Sequence, residues 1–228
     1  MNKMKKYKIS ILIDKANSWP HPYVKKLAVK LSARNHIVNI FNTYTKLKKA
    51  DFLFIVGYTK KIPPEYLKLH KHNLIVHESG LPQGRGFAPL FWQVLEGKNK
   101  IPIVLFDATA KIDAGPVFMK DKIILSEGEL NNAIRDKQGK KTVELLTKFV
   151  DNYEALKSKA QKGKSSFYRR RTKKDSRLDI NKTIAEQFNL LRIVDNECYP
   201  AFFNYKGHTY ILKIYNADGY PHKRNKGL

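Results

Sequence analysis

The 228-residue chain reads as an α/β protein built on a mostly parallel sheet with a small helix-plus-hairpin extension at its C-terminal end. Three observations predict it. Short apolar segments with β-branched content recur: YKISILI (7–13), HIVNIF (36–41), DFLFIVG (51–57), HNLIVH (72–77) and IPIVLF (101–106). Segments of helical spacing alternate with them, which implies right-handed crossovers and a parallel sheet covered by helices. The length allows one medium domain and a small appendage, with a core large enough to need no disulfide or metal staple.

The first apolar stretch, ISILI, stops at Asp14. It is too short for a membrane span or the apolar part of a secretion signal, in spite of the basic start MNKMKK. PYVKKLAVKLSAR (22–34) sets Val24, Leu27, Ala28 and Leu31 on one helical face, with Asn35 as its stop. APLFWQVLEG (88–97) carries Pro89 in a first helical turn and Gly97 at the end. Two more helices are predicted over 128–136 and 141–157, the second burying Val143, Leu146, Val150 and Tyr153. Residues 157–177 then hold ten Lys or Arg and one acid, the composition of a linker or arm between a domain 1–156 and an extension 178–228. Within that extension TIAEQFNLLRIV reads as a helix and FFNYKGHTYILKI as a hairpin turning at Lys206-Gly207.

Charge and cysteine usage narrow the class. With 44 Lys and Arg against 20 Asp and Glu, the net charge of +24 attracts anions: nucleic acid, nucleotide phosphates, a polyglutamylated cofactor or anionic lipid. A lysine-rich solvated surface accounts for the same number without a partner. Cys198 stands alone, which suits a reducing compartment and a small buried hydrophobe. With no membrane span, a cytoplasmic protein is expected. His70 and His72 have no third ligand nearby, so no metal is expected.

The chemistry concentrates in HESGLPQGRG (77–86). A phosphate-cradling loop fails here, because Pro89 stands where the dinucleotide fingerprint needs a small residue, no G-K-[ST] follows, and the strand is not the first one. What remains is His77 at the end of a parallel strand, where open α/β sheets place their ligand crevice. Gly80, Gly84 and Gly86 permit close backbone approach. On its own such a histidine reads as a half-buried structural residue. IPIVLFDATAKIDAGPVF (101–118) ends in a loop with Asp107, Asp113 and Gly115, and neighbouring strand ends would bring Asp113 to His77. A carboxylate beside an imidazole orients it and raises its basicity, which is acid/base machinery.

These two segments, HESGLPQGRGFAPLFWQVLEG and IPIVLFDATAKIDAGPVF, resemble the tetrahydrofolate-dependent formyltransferases, whose motif reads approximately N-x-H-x-S-L-L-P-x-x-R-G-x-x-P, followed after a strand by D-x-G. The resemblance is strong over 72–118 and extends to the rest of the first domain by topology, which it implies is Rossmann-like. It implies transfer of a formyl group from 10-formyltetrahydrofolate to an amine, with His77 polarising the formyl oxygen and Asp113 orienting His77 and relaying the proton. By the same resemblance Leu81, the strand Ile103, Val104, Leu105 and the loop Asp107, Ala108 to Ile112 line the pterin slot, with Gln83 beside it. One position departs from the motif: the asparagine two residues before the histidine is Ile75 here. Asn73 lies on the same strand face but too far along it to substitute, which leaves Ser79, Gln83, a backbone N–H or water.

For the acceptor, the tail YRRRTKKDSRLD followed by NKTIAEQFNLLRIVDNECYPAFF resembles the post-catalytic segment of bacterial sugar N-formyltransferases, and about fifty residues after the arm are fewer than methionyl-tRNA formyltransferases carry. The resemblance therefore implies a UDP- or dTDP-linked deoxyaminosugar as acceptor, a role in surface polysaccharide synthesis, and a homodimer. Arg169, Arg170, Arg171 and Arg192 are the phosphate candidates, since guanidinium forks suit phosphate oxygens. Arg85 in the histidine turn and Trp19 after the first strand complete the candidate acceptor residues. Tyr199, Phe202 and Phe203 offer stacking faces, though a small tail needs most of them for its own core. Formylation of aminoacyl-tRNA or a purine precursor is the alternative, as is a non-catalytic RNA-binding module on the same scaffold.

Overall fold

The computed structural model describes residues 5–14 and 19–217; Met1–Met4, residues 15–18 before Trp19 and residues 218–228 lie outside the described part. The strands β1 (Lys8–Leu12), β2 (Ile37–Phe41), β3 (Ala50–Ile55) and β4 (His70–His77) pair in parallel in the order β2-β1-β3-β4. Each matches a predicted segment to within two residues at either end. A two-residue strand β5 (Arg85–Gly86) follows the histidine turn. The sheet then continues through β6 (Lys100–Asp107) and β7 (Val117–Ile124), both antiparallel to their neighbours. The strand β7 was not anticipated, because VFMKDKII breaks its apolar run with two lysines and an aspartate. Those charges suit its place at the sheet edge, where they discourage pairing with another chain.

The helix α1 (His21–Ser32) buries Val24, Leu27 and Leu31, and Asn35 ends the segment in the left-handed region with φ 67°. One turn, α2 (Pro64–Leu67), precedes β4, and α3 (Pro89–Leu95) follows the histidine turn, closed by Gly97 at φ 80°. The two helices predicted over 128–136 and 141–157 are a single helix, α4 (Asn131–Asn152). Its apolar period is interrupted around Gly139, where a Cβ would stand 2.5 Å from the Tyr23 ring of α1. Glycine is required there by close helix packing rather than by a break. Leu146, Phe149 and Val150 join Ile9, Ile11, Phe52 and Phe54 in the main core, with Val143 and Tyr153 at its margin. A second core, on the same side of β6, joins α3, Ile103 and Ile134.

Beyond α4 the chain does not run free. Lys159 bridges Val117 at the start of β7, and β8 (Phe167–Tyr168) pairs in parallel with β5. Then come α5 (Phe188–Ile193), shorter than the predicted helix, and the hairpin β9 (Ala201–Tyr205) and β10 (His208–Leu212). Its two-residue turn has φ 46° at Lys206 and 80° at Gly207, the paired positive values that match strand twist. Leu178, Leu191, Val194 and Ala201 form the small core of this unit, with Phe203 against it. One expectation fails here: Cys198 is exposed rather than buried, and it lies with the 43% exposed Tyr199 in the turn before the hairpin. Among the described residues no helix is long and apolar enough to cross a membrane.

His70 opens β4 with its ring buried, and that burial pushes its pKa below the ordinary 6.5, against the pull of backbone groups of Tyr66 and Lys48. Burial lowers His36 in the same way. The unfolded chain therefore takes up protons first as pH falls through 6.5, so stability is full above that value and is lost below it. The melting temperature is expected to drop on going from neutral to mildly acidic buffer, and the drop should be smaller in His70→Gln.

Candidate active site

His77 ends β4 with its ring 6% exposed and set edge-on to Phe106 at 6.3 Å. Its Nε2 lies 2.8 Å from the Gly84 carbonyl oxygen. A carbonyl only accepts, so Nε2 carries a proton and donates it, leaving Nδ1 as the basic atom of the neutral ring. Asp113 places Oδ2 3.9 Å from the same Nε2, and that oxygen accepts the Gly86 N–H at 2.8 Å. Asp113 itself sits in the left-handed region, φ 47°, a conformation that a non-glycine residue holds only when its surroundings fix it.

The route that brings Asp113 to His77 differs from the sequence expectation. Because β6 is antiparallel to β4, its end at Asp107 stands beside Leu74, not beside His77. The loop 108–116 covers the difference by doubling back. Its base is pinned: Asp107 accepts the Asn73 N–H at 2.7 Å and pairs with His72 Nδ1 at 2.6 Å, while Ala108 N–H donates to the Asn73 carbonyl. Gly115 passes so close to the Asp107 carbonyl oxygen that no side chain fits there.

Segment 157–177 supplies the third side of the site. One amide, Gln161, donates from Nε2 to the carbonyls of Asp113 and Gly115, both at 2.8 Å, and accepts from Arg85 Nη2 at 2.6 Å. It thereby ties the histidine turn to the aspartate loop. Ser166 Oγ accepts the Gly84 N–H, Gln83 donates to the Lys164 carbonyl, and Tyr168 lies against Gly84 and Gly86. Gln161 went unnoticed in the sequence because a lone glutamine in a basic run carries no spacing signal.

The candidate donor-binding residues divide by strand alternation. Val104 and Phe106 face Leu81, Val117 and Ile75 on the His77 side of the sheet, whereas Ile103 and Leu105 point into the helix-covered cores and offer that side only backbone. Ile112 is 68% exposed on the loop next to Asp113, an apolar edge open to a flat ligand. Ser79 Oγ, buried in the histidine turn, has no hydrogen-bond partner among the described residues. An apolar wall with an unsatisfied hydroxyl fits a ring that is flat and polar at its rim. Of the two side chains offered in place of the missing asparagine, Gln83 is committed to the Lys164 carbonyl, whereas the Ser79 hydroxyl is uncommitted among the described residues.

The arginines separate as well. Arg192 is 1% exposed and spends its donors on Glu129, Asn189, Asn99 and Ser126, so it fastens α5 to the domain rather than presenting a phosphate site. Arg169 pairs with Asp175 and stacks on Trp92. Arg170 lies over Phe87 and Arg171 over Phe91. Trp19 stands against a residue that sequence reasoning did not mark, Arg135, at 4.4 Å.

The sequence pattern of the family described as Formyl transferase matches residues 4–150. The chain belongs to the formyl transferase family. Members of that family draw their formyl group from 10-formyltetrahydrofolate. A methionyl-tRNA formyltransferase of Fusobacterium nucleatum is 30% identical over 173 residues, 74% of this chain and 55% of that protein. The chain thus spans about half the length of that relative. Among solved structures, a methionyl-tRNA formyltransferase of Clostridium thermocellum superposes with a TM-score of 0.77 at 19% identity, covering 93% of this chain and 95% of that one. A sugar N-formyltransferase of a Shewanella species gives 0.69 at 13% identity, with 91% and 96% covered. At these identities the two structures establish the shared fold.

Proposed function

We propose that this formyl transferase moves the formyl group of 10-formyltetrahydrofolate onto a primary amine carried by a phosphate-bearing acceptor. The observation that carries the reading is the convergence of His77 and Asp113, 3.9 Å apart, in a chain of this family. When bound, the donor supplies an activated formyl carbon. Leu81, Val104 and Ile112, with the backbone of the 107–116 loop, are the residues that would hold it. As the amine attacks, negative charge grows on the formyl oxygen, and the His77 imidazole is the group that meets it; its Nε2–H is already given to the Gly84 carbonyl, so the proton offered to that oxygen is one carried on Nδ1. Asp113 stabilises this imidazolium and takes part in moving the proton lost by the amine. The buried Ser79 hydroxyl stands in for the missing asparagine. Ser79→Ala is expected to lower kcat about tenfold or more with little change in melting temperature, and an unchanged kcat would remove Ser79 from the mechanism.

Aminoacyl-tRNA is the acceptor that the 30%-identical relative favours, and the charge of +24 suits a polyanion. A nucleotide-linked amino sugar is the second reading, supported by the resemblance of the tail YRRRTKKDSRLD and NKTIAEQFNLLRIV to the sugar N-formyltransferases. The deciding experiment offers methionyl-tRNA and a panel of UDP- and dTDP-linked amino sugars in parallel with 10-formyltetrahydrofolate, reading tetrahydrofolate release and formyl mass gain on the acceptor. Release with tRNA alone selects the first reading and release with one sugar selects the second. Release with neither, from folded protein, rejects both.

A further inference from the structure

Arg135 of α4 lies between two aromatic rings, its guanidinium carbon 4.4 Å from the Trp19 ring centre and 4.2 Å from that of Phe91. Arg171 approaches the same Phe91 ring at 6.0 Å. One ring therefore gathers two guanidiniums, one from the domain and one from the basic segment. Neither forms an ion pair among the described residues. Arg135 Nη1 donates to Gln138 Oε1 at 2.8 Å, and Gln138 passes the contact on to Glu78, the residue after His77, at 2.7 Å. The Arg171 Nε is buried without a partner among the described residues, and its Nη2 reaches only the Asp175 carbonyl.

Desolvated cations of like sign are costly to hold together, and the cost is recovered only when an anion joins them. The Arg135 pKa is pushed down to about 10, first by burial and further by the Arg171 charge, while Glu78 and Asp195 offset this only in part. Burial lowers Arg171 too. The place matters as much as the charge. Trp19 follows the end of β1, and the order β2-β1-β3 makes the gap between β1 and β3 the point where the sheet reverses its winding. Open α/β sheets bind ligands at that point. Guanidinium N–H groups beyond the one that Arg135 gives to Gln138 suit phosphate oxygens, which they meet in a fork.

We propose that Arg135 and Arg171 form a phosphate subsite for the acceptor, walled by Trp19 and Phe91 and linked through Gln138 to Glu78, the residue after His77. This rests on the reading that the acceptor bears phosphate, and it names the residues that recognise it.

The test is calorimetric titration of the full-length protein with inorganic pyrophosphate, needing neither donor nor turnover. One-to-one binding is expected, weakened about tenfold or more in Arg135→Gln and in Arg171→Gln, and held within about twofold in Lys30→Gln on the exposed face of α1. Arg135→Lys guards against misfolding: it keeps the charge, loses the fork, and should fall between wild type and Arg135→Gln. UDP and a CCA-ended oligonucleotide, titrated in the same way, report whether a nucleoside diphosphate or an RNA end supplies the phosphate. Pyrophosphate binding that is absent, or that survives both glutamine substitutions in folded protein, overturns the subsite. Binding that needs both arginines in a protein that formylates nothing would leave the subsite standing and sink the enzymatic reading; formylation with an unchanged acceptor KM in both variants would do the reverse.

Discussion

His77→Ala is expected to lower formyl transfer by about two to four orders of magnitude, the range for losing a positioned proton-transfer group. Asp113→Asn should cost a comparable factor in kcat. The asparagine keeps an oxygen that accepts the Gly86 N–H, so the loop stays put while the charge beside the imidazole disappears. Asp113→Asn removes the negative charge that stands 3.9 Å from the imidazole. Tetrahydrofolate release measures both variants, and near-native melting of each attributes the loss to chemistry. Turnover within a few-fold of wild type in His77→Ala would end the assignment of this site.

Gln161→Ala is the second large effect. The substitution removes the three hydrogen bonds by which this one amide joins the histidine turn to the aspartate loop, each contributing about 0.5–1.5 kcal/mol to holding them. Asp113 is then free to leave its left-handed conformation, and a carboxylate displaced by about 1 Å is enough to cost on the order of a hundredfold in rate. Expected is a fall in kcat with the KM for donor little changed. Gln161→Glu is the sharper control: it preserves the acceptor for Arg85 but points a carboxylate at two carbonyls, so it should be no better than alanine. A Gln161→Ala enzyme with wild-type kcat would show that Asp113 holds its position unaided.

The parallel half of the sheet was legible because its inner strands β1 and β3 are buried and read as nearly unbroken apolar runs, while the exposed edge strand β2 keeps its β-branched content. The reversal at β6 was not, since IPIVLF has the same composition in either direction and strand polarity is set by pairing rather than by sequence. This matters for the site. His77 and Asp113 were paired correctly for a reason that the fold does not use: they meet through a loop that folds back, not through neighbouring strand ends. Position in a motif carried the candidate catalytic residues, whereas residues that act through tertiary packing stayed silent. Arg135 falls on a helix with ordinary spacing and shows its significance only once Trp19 and Phe91 close on it. Arg192 errs in the opposite sense, since an arginine at the end of a helix reads as a free cation until its four partners are seen.

The crossing of residues 159–168 over the two loops bears on how the protein comes to maturity. All six strands of the main sheet and both long helices are complete by Asn152, and the family pattern ends at residue 150. On a ribosome the sheet could close while the segment that clasps His77's neighbourhood is still in the exit tunnel. Competence would then be gained in a separate, later event, when the last of these residues emerges and settles, so that a nascent or prematurely ended chain would be folded and yet inert.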